Sequence, residues 1–351
     1  MRSLIITVSQ VLSIVALMSV ACVPPTHADT KYRGMTASSS IMQDFIDLRA
    51  FGANIAAFQV LNPDLGGDTT GVAYDAFIAE RLTVLDQVIT TAESIGMKIL
   101  IVLFSPPGGM NFVAKPAVHR MFSNSVYQDQ FVATWRTVAL RYKGRTGVWG
   151  YDLLNEPAVG AIGQGLRGWD TLSLRALAAI REVDSDVRVT IEPPYGNAEF
   201  IGRLSRSTDP RLVYNVHSYF NSAFRSQGFN GRPINVVYPT INRRNPKRSF
   251  DRKGIERSLA KLNTFQRLRP GTSVIVGEFA APRWAPRGSS ARYLRDSIRI
   301  FERFGWDWVN HAWREADVWS PEHTNDPNNP NRSATETDRA RVLKSFFRKN
   351  T

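Results

Sequence analysis

Cysteine is almost missing from this chain. The 351 residues include one, Cys22, which falls in an N-terminal stretch read below as removable. Beyond that stretch, disulfides, thiol chemistry and cysteine-based metal sites are excluded. Histidine is scarce as well, with five scattered residues that show no ligand spacing. Neither cofactor nor metal is therefore expected. There is no internal repeat after Asp29, and no low-complexity tract or Pro/Gly/Ser-rich linker, which argues against disorder and against an appended binding module. Acidic residues are in deficit: 31 Asp and Glu face 44 Lys and Arg, for a net charge of +13. Such an excess attracts anionic partners, whether nucleic acid, an acidic polysaccharide or the cell envelope. No recognised nucleic-acid-binding motif accompanies it.

Long apolar runs are confined to the start. Met1-Arg2 is a short positive opening, Leu4 to Val20 is apolar but interrupted by Ser9, Gln10 and Ser13, and Thr26-His27-Ala28 has the small-x-small form of a cleavage site. Residues 1–28 read as a secretory signal and 29–351 as the mature chain, secreted or periplasmic. An uncleaved anchor is the alternative, although the stretch is short for a span of about 20 residues.

What the mature chain does have is ample core material, 43% apolar residues, and a regular alternation of β-rich runs with helical periodicity. Strands are expected at Tyr32 to Thr36, Asn54 to Val60, Lys98 to Phe104, Val148 to Leu154, Val187 to Glu192, Leu212 to His217, Ser273 to Glu278 and Trp306 to Trp313. Helical patterns fall at Tyr74 to Ile95, Tyr127 to Tyr142, Leu166 to Val183, Ile255 to Leu268, Arg292 to Phe304 and Thr337 to Phe347. An unbroken run of eight such alternations predicts an α/β fold, a single (β/α)8 TIM barrel. A doubly wound domain with a second domain is the competing arrangement.

Two of these runs end in a glutamate: Tyr151-Asp152-Leu153-Leu154-Asn155-Glu156-Pro157 and Val274-Ile275-Val276-Gly277-Glu278-Phe279. Carboxyl ends of barrel strands are where the fold keeps its chemistry, and two carboxyl groups facing each other suffice to cleave a glycosidic bond. Either motif alone could equally be a strand end with a solvated glutamate.

Leu154-Asn155-Glu156-Pro157 and Val276-Gly277-Glu278-Phe279 resemble the signatures of glycoside hydrolase family 5, the cellulase family, in the retaining (β/α)8 clan. Val213-Tyr214-Asn215-Val216-His217-Ser218-Tyr219 is similar to the family's strand-six His-x-Tyr element, and Trp313 lies where a strand-eight tryptophan is expected. Arg33-Gly34-Met35 resembles the family's strand-one opening, and Phe224-Arg225-Ser226-Gln227-Gly228 a loop motif of some members. The resemblance implies a retaining endo-β-glycosidase acting on a β-1,4-glucan-like polysaccharide or an exopolysaccharide. Glu156 would be the acid/base and Glu278 the nucleophile. Asn155 would bind the sugar 2-hydroxyl, Tyr219 would orient Glu278, His217 would contact the sugar or the acid/base, and Trp313 would form an apolar floor. Trp284, soon after Glu278, is a candidate stacking platform or a packing residue.

Two family features are missing. Asn54-Ile55-Ala56-Ala57 puts Ala57 where an arginine that pairs with the nucleophile is usual, and Leu103-Phe104-Ser105 stands where a histidine is common. Gln59 or an arginine from elsewhere could replace the first. These gaps keep open a catalytically impaired, carbohydrate-binding barrel. The connection Asn221 to Lys253 has eight basic residues against Asp251 alone. It suggests an anionic glycan if Arg243, Arg244, Lys247 and Arg248 line the cleft, and a solvated surface patch if they do not.

Overall fold

The computed structural model describes residues 30–62 and 64–350. The expected export signal lies outside them. Contacts divide the chain into Met1–Thr30 and Lys31–Thr351, and the second unit holds all of the described secondary structure.

Eight parallel strands close into a barrel: β1 Arg33–Thr36, β2 Ile55–Val60, β3 Lys98–Leu103, β4 Val148–Asp152, β5 Arg188–Ile191, β6 Leu212–His217, β7 Ser273–Glu278 and β8 Asp307–Asn310. Each pairs with its sequence neighbours, and β1 pairs with β8 to complete the ring. The TIM barrel expected from the alternation is thus the observed fold.

Because side chains alternate along a strand, each one feeds two layers. Ile55, Ala57, Leu100, Val102, Trp149, Val213, Ile275 and Val309 fill the barrel interior. Their neighbours Ala56, Phe58, Ile99, Ile101, Val216 and Val276 face the surrounding helices and belong to the large outer core. Parallel strands covered on both sides must be apolar on both faces, which is why these runs read as nearly continuous hydrophobic segments.

The covering helices include Met42–Phe51, Gly71–Ser94, Ser125–Tyr142, Trp169–Arg181, Ala260–Arg267, Ser289–Phe304 and Asp338–Phe347. Side-chain caps start two of them: Asn124 accepts from the Val126 N–H and Thr337 from the Ala340 N–H, a contribution of about 1 kcal/mol each. Between β5 and β6, where no helical periodicity is evident, the described residues form two short 3-10 segments, Pro194–Gly196 and Ala198–Arg203, in place of a full helix. Arg33 on β1 pairs with Glu302 at 2.8 Å and donates to Asn350 at 3.0 Å, so the first strand is tied to the end of the chain.

Strand eight is shorter than expected. It begins at Asp307 and stops at Asn310, after which the Trp313 N–H turns to the Thr36 carbonyl of β1. This shortening decides where Trp313 points.

Candidate active site

The carboxyl ends of the strands converge on one mouth, and alternation selects what lines it. On β2, Ile55 and Ala57 fill the interior and Gln59, next on the same face, reaches the mouth. On β6 the same face carries Val213, then Asn215, then His217.

Glu278 is turned into the mouth by a slip in pairing. Val216 faces Val276 but His217 faces Glu278, so two residues of β7 stand opposite one of β6. Such a bulge re-aims the side chain that follows it. Gly277 sits at the slip, where a Cβ would lie 2.4 Å from the Asn215 amide. Its N–H donates to Asn215 Oδ1 at 2.8 Å. The Glu278 carboxylate accepts from the Gln59 amide at 2.9 Å and from the Tyr219 hydroxyl at 2.8 Å. Burial and the Glu278 charge push the Tyr219 hydroxyl well above its ordinary pKa, so it stays a donor.

Glu156 follows β4 with φ 43, in the left-handed region that favours glycine. Holding a glutamate there costs about 1–3 kcal/mol and needs fixed partners. Its N–H donates to Glu192 Oε2 at 3.0 Å, and its carboxylate meets His217 Nδ1 at 2.8 Å. The Glu156 side chain is 42% exposed and that of Glu278 12%, so the first opens to the cleft while the second is recessed. Crowding by the protein raises the Glu156 pKa, but the hydrogen bond and charge of His217, with Arg225 and His311 behind, bring it net below the usual glutamate value.

His217 is buried and enclosed by carboxylates: Glu156 at 2.8 Å, Glu192 at 3.2 Å and Glu278 at 3.6 Å. Burial works against its charge, yet Glu192 and Glu278 outweigh this and hold the imidazole protonated, well above its ordinary pKa. Beneath it, the fully buried Asp152 and Glu192 both accept from Asn215 Nδ2. Burial and then the Glu192 charge push the Asp152 pKa well up, and burial raises that of Glu192 as well. Glu156, His217 and Glu278 could each offer a metal-ligating atom, all within 4.8 Å of one another. A ring whose two nitrogens both face carboxylates, and which is cationic, has no lone pair to give a metal.

Two clefts meet at Glu156. One, of about 470 Å³, is lined by Tyr195, Asn197, Glu199, His217, Tyr219, Phe220 and Arg225. The other, of about 270 Å³, is lined by Phe104, Met110, Phe112, His119, Asn155 and Tyr195. Asn155 therefore stands in the mouth beside Glu156. His119, from a hairpin of Met110–Asn111 with Val118–His119, was not anticipated as a site residue. Its Nδ1 accepts from the Ala158 N–H at 3.1 Å. This leaves Nε2 to carry the hydrogen of the neutral ring. Burial lowers its pKa to about 4.

The Trp313 expectation needs correction, and of the two readings of Trp284 it is the packing one that its contacts favour. Trp313 is 2% exposed, donates to the Asp44 carbonyl at 3.0 Å and packs on Phe51 with ring centroids 5.0 Å apart. It is a brick of the helix layer, because β8 ends at Asn310 and His311 takes the position nearer the mouth. Trp284 donates to the Gln227 carbonyl at 2.9 Å and abuts Phe229 and Gly228, bracing the loop after β6 outside both clefts. Arg243, Arg244, Lys247 and Arg248 are exposed and line neither cleft. Of the basic connection, it is Arg225 that reaches the mouth, its guanidinium 5.4 Å above the Tyr219 ring.

A family model described as Cellulase (glycosyl hydrolase family 5) matches residues 29–317. Cellodextrinase A of Ruminococcus flavefaciens is 29% identical over 150 residues, covering 42% of this chain and 44% of that protein. Endoglucanase C of Acetivibrio thermocellus is 26% identical over 206 residues, covering 52% and 59%. The chain thus spans about half the length of these curated relatives. In structure, the Clostridial cellulose synthase subunit Z of Clostridioides difficile superposes with a TM-score of 0.69 at 16% identity, over 89% of this chain and 99% of that one. Cel5A of Thermotoga maritima, in complex with cellobiose, gives 0.67 at 16% identity over 90% and 97%. These superpositions show the fold.

Proposed function

The chain belongs to glycosyl hydrolase family 5, and from that premise we propose that it hydrolyses a β-linked polysaccharide, β-1,4-glucan-like, with retention of configuration. The observation that carries the reading is the approach of Glu156 and Glu278, whose nearest oxygens, with His217 between them, lie within 4.8 Å. Retaining glycosidases hold their carboxyl groups about 5–5.5 Å apart and inverting ones about 6.5–9.5 Å apart. Glu278, recessed and held by Gln59 and Tyr219, attacks the anomeric carbon. Glu156, open to the cleft, protonates the leaving oxygen. The proton it gives sits on the hydrogen bond to His217 at 2.8 Å, so imidazolium and carboxylate together form the acid. Glu156 then deprotonates the water that releases the sugar.

Clefts on both sides of Glu156 support endo action, since a chain can run through the mouth in both directions. Export through residues 1–28 suits a polymeric substrate, and among the described residues no helix is long and apolar enough to cross a membrane. The Gln59 hydrogen bond to Glu278 favours an active enzyme over an impaired, sugar-binding barrel. Purified protein incubated with β-glucan, xylan, mannan and an acidic polysaccharide, with product lengths recorded, tests the reading. Release of short oligosaccharides from a neutral β-glucan is expected. Failure to cleave any of them, or an activated aryl β-glycoside, would favour the binding barrel.

Arg225 favours a second substrate class, glycans bearing carboxylates, because no salt bridge engages it among the described residues and it faces the larger cleft. Preference for the acidic polymer that weakens with salt is the expected sign, and salt-independent turnover of neutral polymer alone would remove this class.

A further inference from the structure

Glu192 is fully buried, cannot reach a sugar, and yet touches Glu156 from two directions. Its Oε2 accepts the Glu156 N–H at 3.0 Å, and its Oε1 faces His217 Nε2 at 3.2 Å. His217 returns through Nδ1 to the Glu156 carboxylate at 2.8 Å. The contacts form a closed ring: Glu192 carboxylate, His217, Glu156 side chain, Glu156 backbone and Glu192 again. A residue with φ 43 is held there by that N–H contact, and its carboxylate is aimed by the same group acting through an imidazole. Asn215 joins the ring to β7 by donating to Glu192 at 3.2 Å while accepting from the Gly277 N–H, next to Glu278.

We propose that Glu192 is a positioning residue of this active site, acting on the acid/base through His217 and through the Glu156 backbone rather than on the sugar. The inference rests on the reading of Glu156 as acid/base. The charged and titratable groups that face Glu192 are Asp152 from β4, Glu156 beyond β4 and His217 from β6. Burial raises the pKa of both Asp152 and Glu192, Asp152 the more strongly, and it is the Glu192 oxygen, 3.2 Å from Nε2, that faces the His217 proton there. The proton on Nδ1 passes through the Glu156 carboxylate to the leaving oxygen, leaving the ring neutral and Glu156 ionised, and the proton that Glu156 then takes from water restores the imidazolium by the same route.

The test compares Glu192→Gln, Glu192→Asp and Glu156→Ala with the native enzyme on two aryl β-cellobiosides, one with a dinitrophenyl leaving group that needs no proton and one with an unactivated phenol that does. For Glu192→Gln, kcat on the unactivated substrate falls about tenfold or more, the fall on the dinitrophenyl substrate is about threefold or less, and KM stays within about twofold. Without the Glu192 charge the His217–Glu156 pair loses its proton more easily, so the alkaline limb of kcat/KM moves to lower pH, by about one unit. Glu192→Asp, which keeps the charge, holds the limb nearer its native place. It also supplies the reading if the glutamine variant does not fold. Equal losses on both substrates with an unmoved limb would overturn the proposal. If Glu156→Ala itself shows no leaving-group dependence, the assignment of Glu156 fails and this inference falls with it. Dependence in Glu156→Ala but none in Glu192→Gln sinks the Glu192 role alone.

Discussion

The side-chain amide of Gln59 donates to Oε1 of Glu278 at 2.9 Å, on the opposite side of the carboxylate from Tyr219. At position 57, where the resemblance places an arginine, Ala57 packs inside the barrel, and Gln59, next on the same face, meets the carboxylate instead.

A hydrogen bond to a charged group is worth about 1.5–3 kcal/mol. Gln59→Leu should therefore lower kcat by roughly ten- to a hundredfold, with a smaller change in KM. Gln59→Glu, which places a second carboxylate against Glu278, should cost more still. Steady-state kinetics on a soluble cello-oligosaccharide checks both. Wild-type rates in either variant would show that Tyr219 suffices.

Gly277→Ala tests the bulge. Its Cβ would enter the space of the Asn215 amide at 2.4 Å, and Asn215 cannot retreat while it serves Gly277, Asp152 and Glu192. Overpacking of this kind costs about 1–3 kcal/mol. Chemical denaturation should show that loss, and activity should drop further because Glu278 is the next residue.

Trp313→Phe separates packing from sugar binding. Loss of the hydrogen bond to Asp44 and of contact with Phe51 should lower stability by about 1–3 kcal/mol, while KM for cello-oligosaccharides stays within about twofold. A raised KM at native stability would return this tryptophan to the sugar.

His119 makes the fold sensitive to acid. Its folded pKa is lowered to about 4 from an ordinary 6.5. Between those values the unfolded chain binds more protons than the folded one, so stability falls as pH drops from about 7 to about 4. For a fully buried group the shift amounts to about 3 kcal/mol in order of magnitude. Asp307, raised to about 6 chiefly by burial, works the other way, being most stabilising at low pH and losing its contribution as pH rises through 6. The difference between wild type and His119→Asn isolates the histidine: the variant, whose side-chain oxygen can still accept from Ala158, should lose less stability on going from pH 7 to pH 4.5.

The barrel was legible because alternation of apolar runs is a property of the chain itself, and Glu156 and Glu278 were legible because each ends such a run. Glu192 carried the same signal, in Ile191-Glu192-Pro193, but a carboxylate that turns inward reads no differently from one that faces substrate. Trp313 was misplaced because the resemblance set it at the end of a strand expected to run from Trp306 to Trp313, and β8 stops at Asn310. His119 lies on a hairpin whose position over the mouth depends on contacts distant in sequence, the Ala158 backbone among them. Nothing local announces it.

The central claim, that Glu278 attacks the sugar while Glu156 serves as acid/base, is tested most directly by trapping. The protein is incubated with a dinitrophenyl β-cellobioside carrying fluorine at the sugar's second carbon, then digested and mapped by mass spectrometry. One covalent glycosyl adduct is predicted, on Glu278, formed in wild type and absent from Glu278→Gln. An adduct on another residue, or full turnover by Glu278→Gln, would contradict the account.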